Sequence, residues 1–462
     1  MEGVRDYVVD KLQYAYNPDS IAVIGASRHE DKVGYNLIRM LREDGYEGKI
    51  YGVNPRAAPG KIYDEEVFRS VTEIDGEVDL AVIVLPSFMV KQTVRKCVEK
   101  GVKIGVIVSS GFKEVGAEDL QEWLTDYCSE NEFPVIGPNL LGLGNPHGDL
   151  NLGFTPYLPL AGNVAVISQS GANLLAWLGM SRTQKFRMSF YVGMGNMADI
   201  GFPEMITYAD HDEKTDVIAL YIEGIKDREG FMGVCKNVDK SIVAIAAGAQ
   251  SERGKKAAGA HTGSEPISDE EYDEMFKEAG IIRVESQQEF VDACKALSKQ
   301  PVCDGEWMMI TNGGGSGLLV TDESDRRNVD MVTPSESLKT RMNGHVGPLG
   351  SPLNPVDLTG MAIWSDYKGA IETAISSKEV GGVVVSVCPT EITYPEKIAA
   401  ITKDLHDKYK KWNKPIIAQF QGGEECEKCI EWLNEQGIPA YLTPERAVSA
   451  MKALSDYNEI KK

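Results

Sequence analysis

The sequence predicts an α/β protein assembled from three consecutive doubly wound units. Two observations carry that prediction. Short β-branched apolar runs alternate with amphipathic helical stretches, the pattern of parallel sheets covered by helices, and the last two-thirds of the chain repeats itself. At 462 residues more than one core is required, because single hydrophobic cores rarely grow past about 250–300 residues.

The first unit opens with a strand at residues 20–25 (SIAVIG). Further strands are expected at residues 49–53 (KIYGV), 80–85 (LAVIVL), 105–108 and 133–136, with helices between them, as at 34–43 and 89–100. A Gly/Pro/Asn-rich stretch at 137–162 breaks the periodicity and reads as a linker. The second unit starts with NVAVI at 163–167 and ends near Leu297, and the third starts with WMMI at 307–310. These two units align. GIIRVESQQEFVDACKAL at 280–297 matches GIPAYLTPERAVSAMKAL at 437–454, KSIVAIAAG at 240 parallels KPIIAQFQGG at 414, and VISQSGANLL parallels MITNGGGSGLL. The fold expected is therefore an N-terminal Rossmann-like unit (1–145) followed by two flavodoxin-like units (146–300 and 301–462).

Composition narrows the class. Apolar residues make up 42% and charged residues 25% of the chain, as in globular proteins. No apolar run reaches the roughly 18 residues of a membrane span, and residues 1–16 are charged and tyrosine-rich, without the apolar core of a signal peptide. A cytoplasmic protein is expected. The net charge of −21 argues against nucleic acid or an anionic membrane as partner, since both need clustered positive charge. The eight cysteines are scattered. Cys426 and Cys429 in CEKC give half of a zinc spacing with no second pair, so no metal site is expected.

After SIAVIG, the turn Gly25, Ala26, Ser27, Arg28 leads into a helix near Gly34, placing backbone amides where a phosphate can bind. The dinucleotide fingerprint G-x-G-x-x-G is absent, and the loop carries Arg28 and Lys32. The second strand ends in Asn54-Pro55-Arg56 rather than in the acidic residue an NAD ribose needs. A cation there suits a phosphorylated ribose, as in NADP or the 3′-phospho-ADP of CoA. Residues 248–256 (GAQSERGKK) resemble a Walker loop, but five residues separate the glycines and Lys256 stands where Ser or Thr is required.

Ser168-Gln169-Ser170-Gly171 follows a strand and precedes a helix, so Ser170, Gly171 and Ala172 mark a second phosphate-binding helix start. His261 sits in Ala257-Ala258-Gly259-Ala260-His261-Thr262-Gly263-Ser264, among residues too small to crowd its imidazole. An uncrowded imidazole is able to accept a phosphoryl group. Glu223, in LYIEG, is a carboxylate at the carboxyl end of an apolar strand, where ligands bind in open α/β sheets. It suits a partner for the second ring nitrogen of a histidine. The third unit places Pro389 at the position read as equivalent to Glu223 and has no histidine matching His261. The pair is therefore not demanded by the fold.

With these residues in view the sequence resembles the succinyl-CoA synthetase superfamily, most closely the α subunits of archaeal ADP-forming acetyl-CoA synthetases. IGAS, VNP, SSGF at 109, GPNLLG at 137, ISQSG at 167, GNMADIG at 195, YIEG at 221 and GAHTGS at 259 fall in the family's order. The third unit, with TNGGGSG at 311 and NPVDLTG at 354, looks like the extra domain of the ADP-forming enzymes. The resemblance implies a first unit that binds CoA and a three-stage reversible reaction. Acyl-CoA and phosphate give acyl phosphate and CoA, the acyl phosphate phosphorylates histidine, and phosphohistidine converts ADP to ATP. By this resemblance His261 is the phosphorylated residue and Glu223 its stabilising carboxylate. Ser170, Gly171 and Ala172 cradle phosphate. Gly25, Ala26, Ser27, Arg28, Lys32, Asn54, Pro55, Arg56, Ser109, Ser110 and Gly111 form the CoA turns, and Asn139 lies near the acyl group. Charge alone adds Arg253, Lys255 and Lys256 as steering cations. No ATP-grasp domain occurs in the sequence, so the resemblance implies a separate ATP-grasp β subunit holding ADP/ATP and Mg²⁺, assembled as an α2β2 heterotetramer.

Acetyl-CoA is the expected substrate. Aryl-acetyl, branched-chain, hydroxyacyl and succinyl groups are alternatives within the same chemistry. A CoA-binding regulatory subunit without catalysis and an NADP dehydrogenase are the alternatives outside it. Arg56→Glu is expected to weaken CoA by roughly tenfold or more, the scale of a lost charged hydrogen bond, while dephospho-CoA changes little. Calorimetric titration with both ligands checks this, and equal weakening of the two would refute a contact with the 3′-phosphate.

Overall fold

The computed structural model describes residues 4–249, 251, 253–254 and 267–462. Three parallel-dominated sheets follow one another along the chain, each with helices on its faces. The first contains β1 (Ser20–Ile24), β2 (Lys49–Val53), β3 (Gly60–Ile62), β4 (Glu65–Phe68), β5 (Leu80–Ile83), β6 (Ile104–Ile107) and β7 (Val135–Ile136), in the order β3-β4-β2-β1-β5-β6-β7. Only β3 runs antiparallel to its neighbour. Strands β1, β5 and β6 are buried at every position, which is why they read as continuous apolar runs rather than as alternation.

The second sheet comprises β8 (Gly142–Asn145), β9 (Leu150–Gly153), β10 (Ala161–Ser168), β11 (Met188–Gly193), β12 (Val217–Ile222), β13 (Ser241–Ala246) and β14 (Ile281–Arg283). Its order is β14-β13-β12-β10-β11-β8-β9. The third comprises β15 (Trp307–Thr311), β16 (Val356–Asp357), β17 (Gly382–Val387), β18 (Ile416–Phe420) and β19 (Ala440–Tyr441), ordered β16-β15-β17-β18-β19. Counted from β10 and from β15, both have the flavodoxin-like order 2-1-3-4-5. The repeat in the sequence is thus a repeat in topology.

Two expectations need correction. The stretch 137–162, read as a linker, holds the antiparallel pair β8–β9, and β8 pairs with β11 to extend the second sheet. Glycine-rich strands such as GLGN lack the apolar periodicity that marks a strand, yet all four residues of β8 are buried. Strand register corrects the second point. Ser168 pairs with Tyr221 between β10 and β12, and Thr311 pairs with Ser386 between β15 and β17. Two residues further on, Glu223 is matched by Cys388 and not by Pro389.

The chain forms two compact units, residues 1–283 and 284–462. In the first, one apolar core runs through both sheets, from Ile21 and Val82 to Val192 and Ile218. The N-terminal helix Asp6–Tyr16 joins them, burying Val8, Leu12 and Tyr16 in that core. In the second unit, helix Gln287–Leu297 packs on its repeat counterpart Pro444–Lys461. Arg446 grips the buried Asp292 with contacts of 2.6–3.2 Å, and Tyr441 Oη donates to Asp292 O. Cys426 and Cys429 lie one turn apart on helix Glu424–Glu435, both inside the apolar core, and burial pushes their thiols up to about 12 and about 11. Among the described residues no helix is long and apolar enough to cross a membrane.

Lys295 is 3% exposed, donates to Ala440 O at 3.1 Å and lies over the Tyr441 ring. Burial pushes its ammonium down to about 7, against the attraction of Asp292. The unfolded chain therefore holds one more proton than the folded chain between about pH 7 and the ordinary lysine range, and stability rises with pH across that window. Lys295→Met is expected to flatten this rise, by up to about 1.4 kcal/mol per pH unit relative to the parent. Urea unfolding of both proteins from pH 7 to 10 checks it, and parallel curves would refute it.

Candidate active site

At the carboxyl edge of the first sheet, β1 and β2 are neighbours and β5 lies on the other side of β1, so the connection changes direction there, the usual place for a ligand crevice. The turn Gly25, Ala26, Ser27, Arg28 leaves β1, and Asn54, Pro55, Arg56 leave β2 beside it. Asn54 Nδ2 donates to Ala26 O at 2.7 Å, and Arg56 N donates to Asn54 Oδ1 at 2.9 Å. One asparagine thus shapes both turns and leaves Pro55 and Arg56 exposed. A Cβ on Gly34 would lie 2.1 Å from Gly25 O, so only glycine lets helix Val33–Asp44 start against the turn. Arg28 is exposed and donates to Ala57 O at 2.6 Å, and Lys32 is exposed beside Asp31. Ser109, Ser110 and Gly111 follow β6, two strands from β1. Ser109 O accepts from Asn139 N at 3.0 Å.

The second sheet supplies the opposing elements. Ser170 caps helix Gly171–Gln184, its side chain accepting from Asn173 N at 3.3 Å, so Gly171 and Ala172 open the helix at its electropositive end. Glu223 directly follows β12, the strand adjacent to β10. The segment 195–197 crosses from this sheet to the first. A Cβ on Gly195 would lie 2.1 Å from Pro138 O. Asn196 Nδ2 donates to Gln121 Oε1 at 3.0 Å and to Glu114 Oε2 at 2.6 Å. Glu114 also accepts from Phe112 N at 3.1 Å. Burial raises the Glu114 carboxyl, but these hydrogen bonds outweigh it and hold the group below its ordinary value.

Between the two sheets lies a cavity of about 770 Å³. Asn139, Gly171, Ala172 and Glu223 line it together, with Lys113 and Lys226 as its cations. Leu141, Phe154, Leu175 and Met197 contribute apolar wall. Of the residues expected from the sequence to form the site, these four meet in one place, although they come from segments far apart in the chain. Arg253 is exposed. His261, Lys255 and Lys256 lie outside the described residues.

Several residues at this site were not singled out from the sequence, although Gln169 and Asn196 lie within the ISQSG and GNMADIG strings. Gln169, within SQSG, binds the backbone on both sides of the Glu223–Gly224 peptide. Asn196 and Glu114 tie the SSGF turn to the second sheet. Lys226 donates to Asn196 O and Met197 O, both at 2.9 Å, and desolvation, with Lys113 nearby, lowers its pKa to about 8. Position three after Glu223 was the available clue for Lys226, and the Gln169/Asn312 match in the repeat was the clue for Gln169.

Three family models match in succession along the chain. Residues 19–146 match a CoA binding domain, 161–297 the succinyl-CoA ligase-like flavodoxin domain, and 307–459 a ligase-CoA domain. The chain is 41% identical to the Pyrococcus furiosus protein named acetate–CoA ligase [ADP-forming] I subunit alpha, covering 97% of this chain and 98% of that one. This chain belongs to the ADP-forming acyl-CoA synthetase family. Within the family it has the α-subunit layout. It is 38% identical to an acetate–CoA ligase [ADP-forming] of Methanocaldococcus jannaschii, of which it spans 64%. The dinucleotide-forming acetyl-coenzyme A synthetase 1 of Ca. Korarchaeum cryptofilum, solved with phosphate and ADP, superimposes with a TM-score of 0.92 at 36% identity over 97% of each chain.

An anion in this cavity meets a Lys226 ammonium that is charged below about pH 8 and neutral above it. Affinity for inorganic phosphate is expected to fall roughly three- to tenfold as pH rises from 7 to 9, the effect of one partly screened charge. Lys226→Met should bind phosphate weakly at both pH values. Equal pH dependence in the two proteins would refute the role of Lys226.

Proposed function

We propose that this chain catalyses the reversible reaction of acyl-CoA, ADP and phosphate to carboxylic acid, CoA and ATP, working with a separate ATP-grasp β subunit in an α2β2 assembly. Acetyl-CoA is the substrate proposed, in line with the names of the relatives. The observation that carries the reading is the single cavity in which Asn139, the helix start at Gly171 and Ala172, and Glu223 face one another. The reading assigns a role to each part. The first sheet holds CoA through the turns at Gly25 and Asn54, the second carries the phosphorylated histidine, and the partner holds the nucleotide and Mg²⁺.

In the first step a phosphate oxygen attacks the acyl carbonyl, the C–S bond breaks, and CoA leaves as thiolate to be protonated. Amides at the start of helix Gly171–Gln184 and the Lys226 ammonium offset the charge of phosphate in this step. In the second step a ring nitrogen of His261 attacks phosphorus, the P–O bond to the acyl group breaks, and the carboxylate departs. Glu223 accepts a hydrogen bond from the other ring nitrogen, fixing the tautomer and stabilising the positive charge that develops on the ring. In the third step a terminal phosphate oxygen of ADP attacks phosphorus and the P–N bond breaks, returning neutral His261. The energy of the thioester is thereby kept in a transferable phosphoryl group at every stage.

The test supplies the purified complex with acetyl-CoA and phosphate in the absence of nucleotide and maps phosphorylation by mass spectrometry under alkaline conditions. Acid-labile phosphate is expected on His261. His261→Ala should lose the label and all ADP-dependent turnover while binding CoA nearly as the parent does. Absence of phosphate with acetyl, succinyl and aryl-acetyl donors, although CoA binds, would overturn the reading in favour of a CoA-binding regulatory subunit.

A further inference from the structure

Gln169 and Asn312 occupy the same place in the two flavodoxin-like repeats, one residue beyond the first strand of each. The turns around them are alike atom for atom. Ser170 N donates to Ser168 Oγ at 3.1 Å, and Gly313 N donates to Thr311 Oγ1 at 3.0 Å. Each amide side chain then reaches across to the end of the next strand. Gln169 Oε1 accepts from Glu223 N at 2.5 Å and from Gly224 N at 3.1 Å, while its Nε2 donates to Gly224 O at 3.1 Å. Asn312 Oδ1 accepts from Cys388 N at 2.9 Å, and its Nδ2 donates to Cys388 O at 2.8 Å. Both amides clamp the backbone that carries the residue at the strand's end. Only in the first of the two repeats is that residue an acid.

The surroundings differ in a telling way. Asn312 is 4% exposed and is held in turn by Tyr367 Oη at 2.9 Å and Thr393 Oγ1 at 3.3 Å. Gln169 is half-buried and lines the cavity alongside Glu223. The longer side chain spans two residues, 223 and 224, where asparagine spans one. Two backbone donors and one acceptor, pinned at a strand end, fix the backbone from which the Glu223 side chain leaves for the cavity.

We propose that Gln169 is a positioning residue for Glu223, holding the carboxylate in the direction from which it meets the phosphoryl-accepting imidazole; this rests on the phosphohistidine reading above. The Gln169 amide bonds to the backbone at 223 and 224. It acts by fixing the backbone that carries the Glu223 side chain, and displacement of such a group by about 1 Å costs on the order of 100-fold in rate. The repeat supplies the competing view, in which the clamp is only a staple of the flavodoxin-like fold, as Asn312 is in the third unit. The two views differ in what they predict. A staple affects stability alone, whereas a positioning residue affects the rate per folded molecule.

The experiment uses the full complex and measures His261 phosphorylation from saturating acetyl-CoA and phosphate in the parent, Gln169→Met, Gln169→Asn and Glu223→Gln. Rates are normalised to the CoA-binding fraction, so a partly misfolded variant is still read. Gln169→Met keeps the length and removes every hydrogen bond. It should lower the rate about 10- to 100-fold with the KM for acetyl-CoA unchanged. Gln169→Asn, which retains a one-residue clamp like that of Asn312, should recover a substantial part of the loss. Glu223→Gln should be at least as slow as Gln169→Met. A normalised Gln169→Met rate equal to that of the parent overturns the proposal, even if unfolding occurs at lower urea. If the parent itself forms no phosphohistidine, the underlying reading fails first, so the two failures are distinguishable.

Discussion

Much of the first unit's arrangement depends on one buried carboxylate. The Asp199 side chain is 1% exposed. It accepts from Val135 N, at the last strand of the first sheet, at 2.9 Å, and from Arg5 Nη1, just ahead of the N-terminal helix, at 2.5 Å. Arg5 also donates to Asp199 O at 2.8 Å and to Glu204 Oε1 at 3.0–3.1 Å. Three segments distant in sequence are thereby fixed to one another at the back of the 195–199 segment. A buried ion pair adds little net stability over an apolar replacement, but removing one partner strands a charge and costs about 3–5 kcal/mol. Its contribution here is to register, since it ties Arg5, β7 and the 195–199 segment to one another.

That register is what creates the cavity. The Asp199 end of the segment is anchored to the first sheet, and the Asn196 end reaches Glu114 and Gln121 on the same side. Just ahead of these anchors Gly195 passes against Pro138, and Asn139 lines the cavity together with Glu223. Each wall therefore comes from a different sheet, and neither sheet alone encloses a ligand. The proposed reaction, which brings a thioester and phosphate together, suits such a two-walled cavity, because proximity itself contributes a large part of the barrier reduction.

The two flavodoxin-like sheets show how one framework carries different chemistry. Strand order and helix starts are shared, which marks them as requirements of the fold, and an amide clamp at the strand end recurs in both. What varies is the residue presented: Glu223 against Cys388, and a capping Ser170 against Gly313. The proposed function rests on a few side chains placed on a repeated scaffold. Burial governs which groups take part. Cys426 and Cys429, suggestive as a motif, are core residues on one helix face, whereas Lys226 keeps its ammonium at the cavity.

The sequence by itself determined the fold class, the strands β1, β10 and β15 and the repeat, and it put forward candidate residues at strand ends. Apolar runs and strand-turn-helix junctions are local signals, written in consecutive residues, and so they are legible without coordinates. The same holds for the family, since IGAS, SSGF, ISQSG and GAHTGS are contiguous strings. The pair β8–β9 was not legible, because its glycines pack by backbone and by partners far along the chain. Lys226, Asn196, Glu114 and Gln169 were hidden for a related reason. Each has its place through hydrogen bonds to residues two to eighty-two positions away, and their meaning exists only once two sheets are set face to face. The tertiary structure alone decided which candidate residues share a cavity, since that depends on how sheets dock and not on the strand each residue follows.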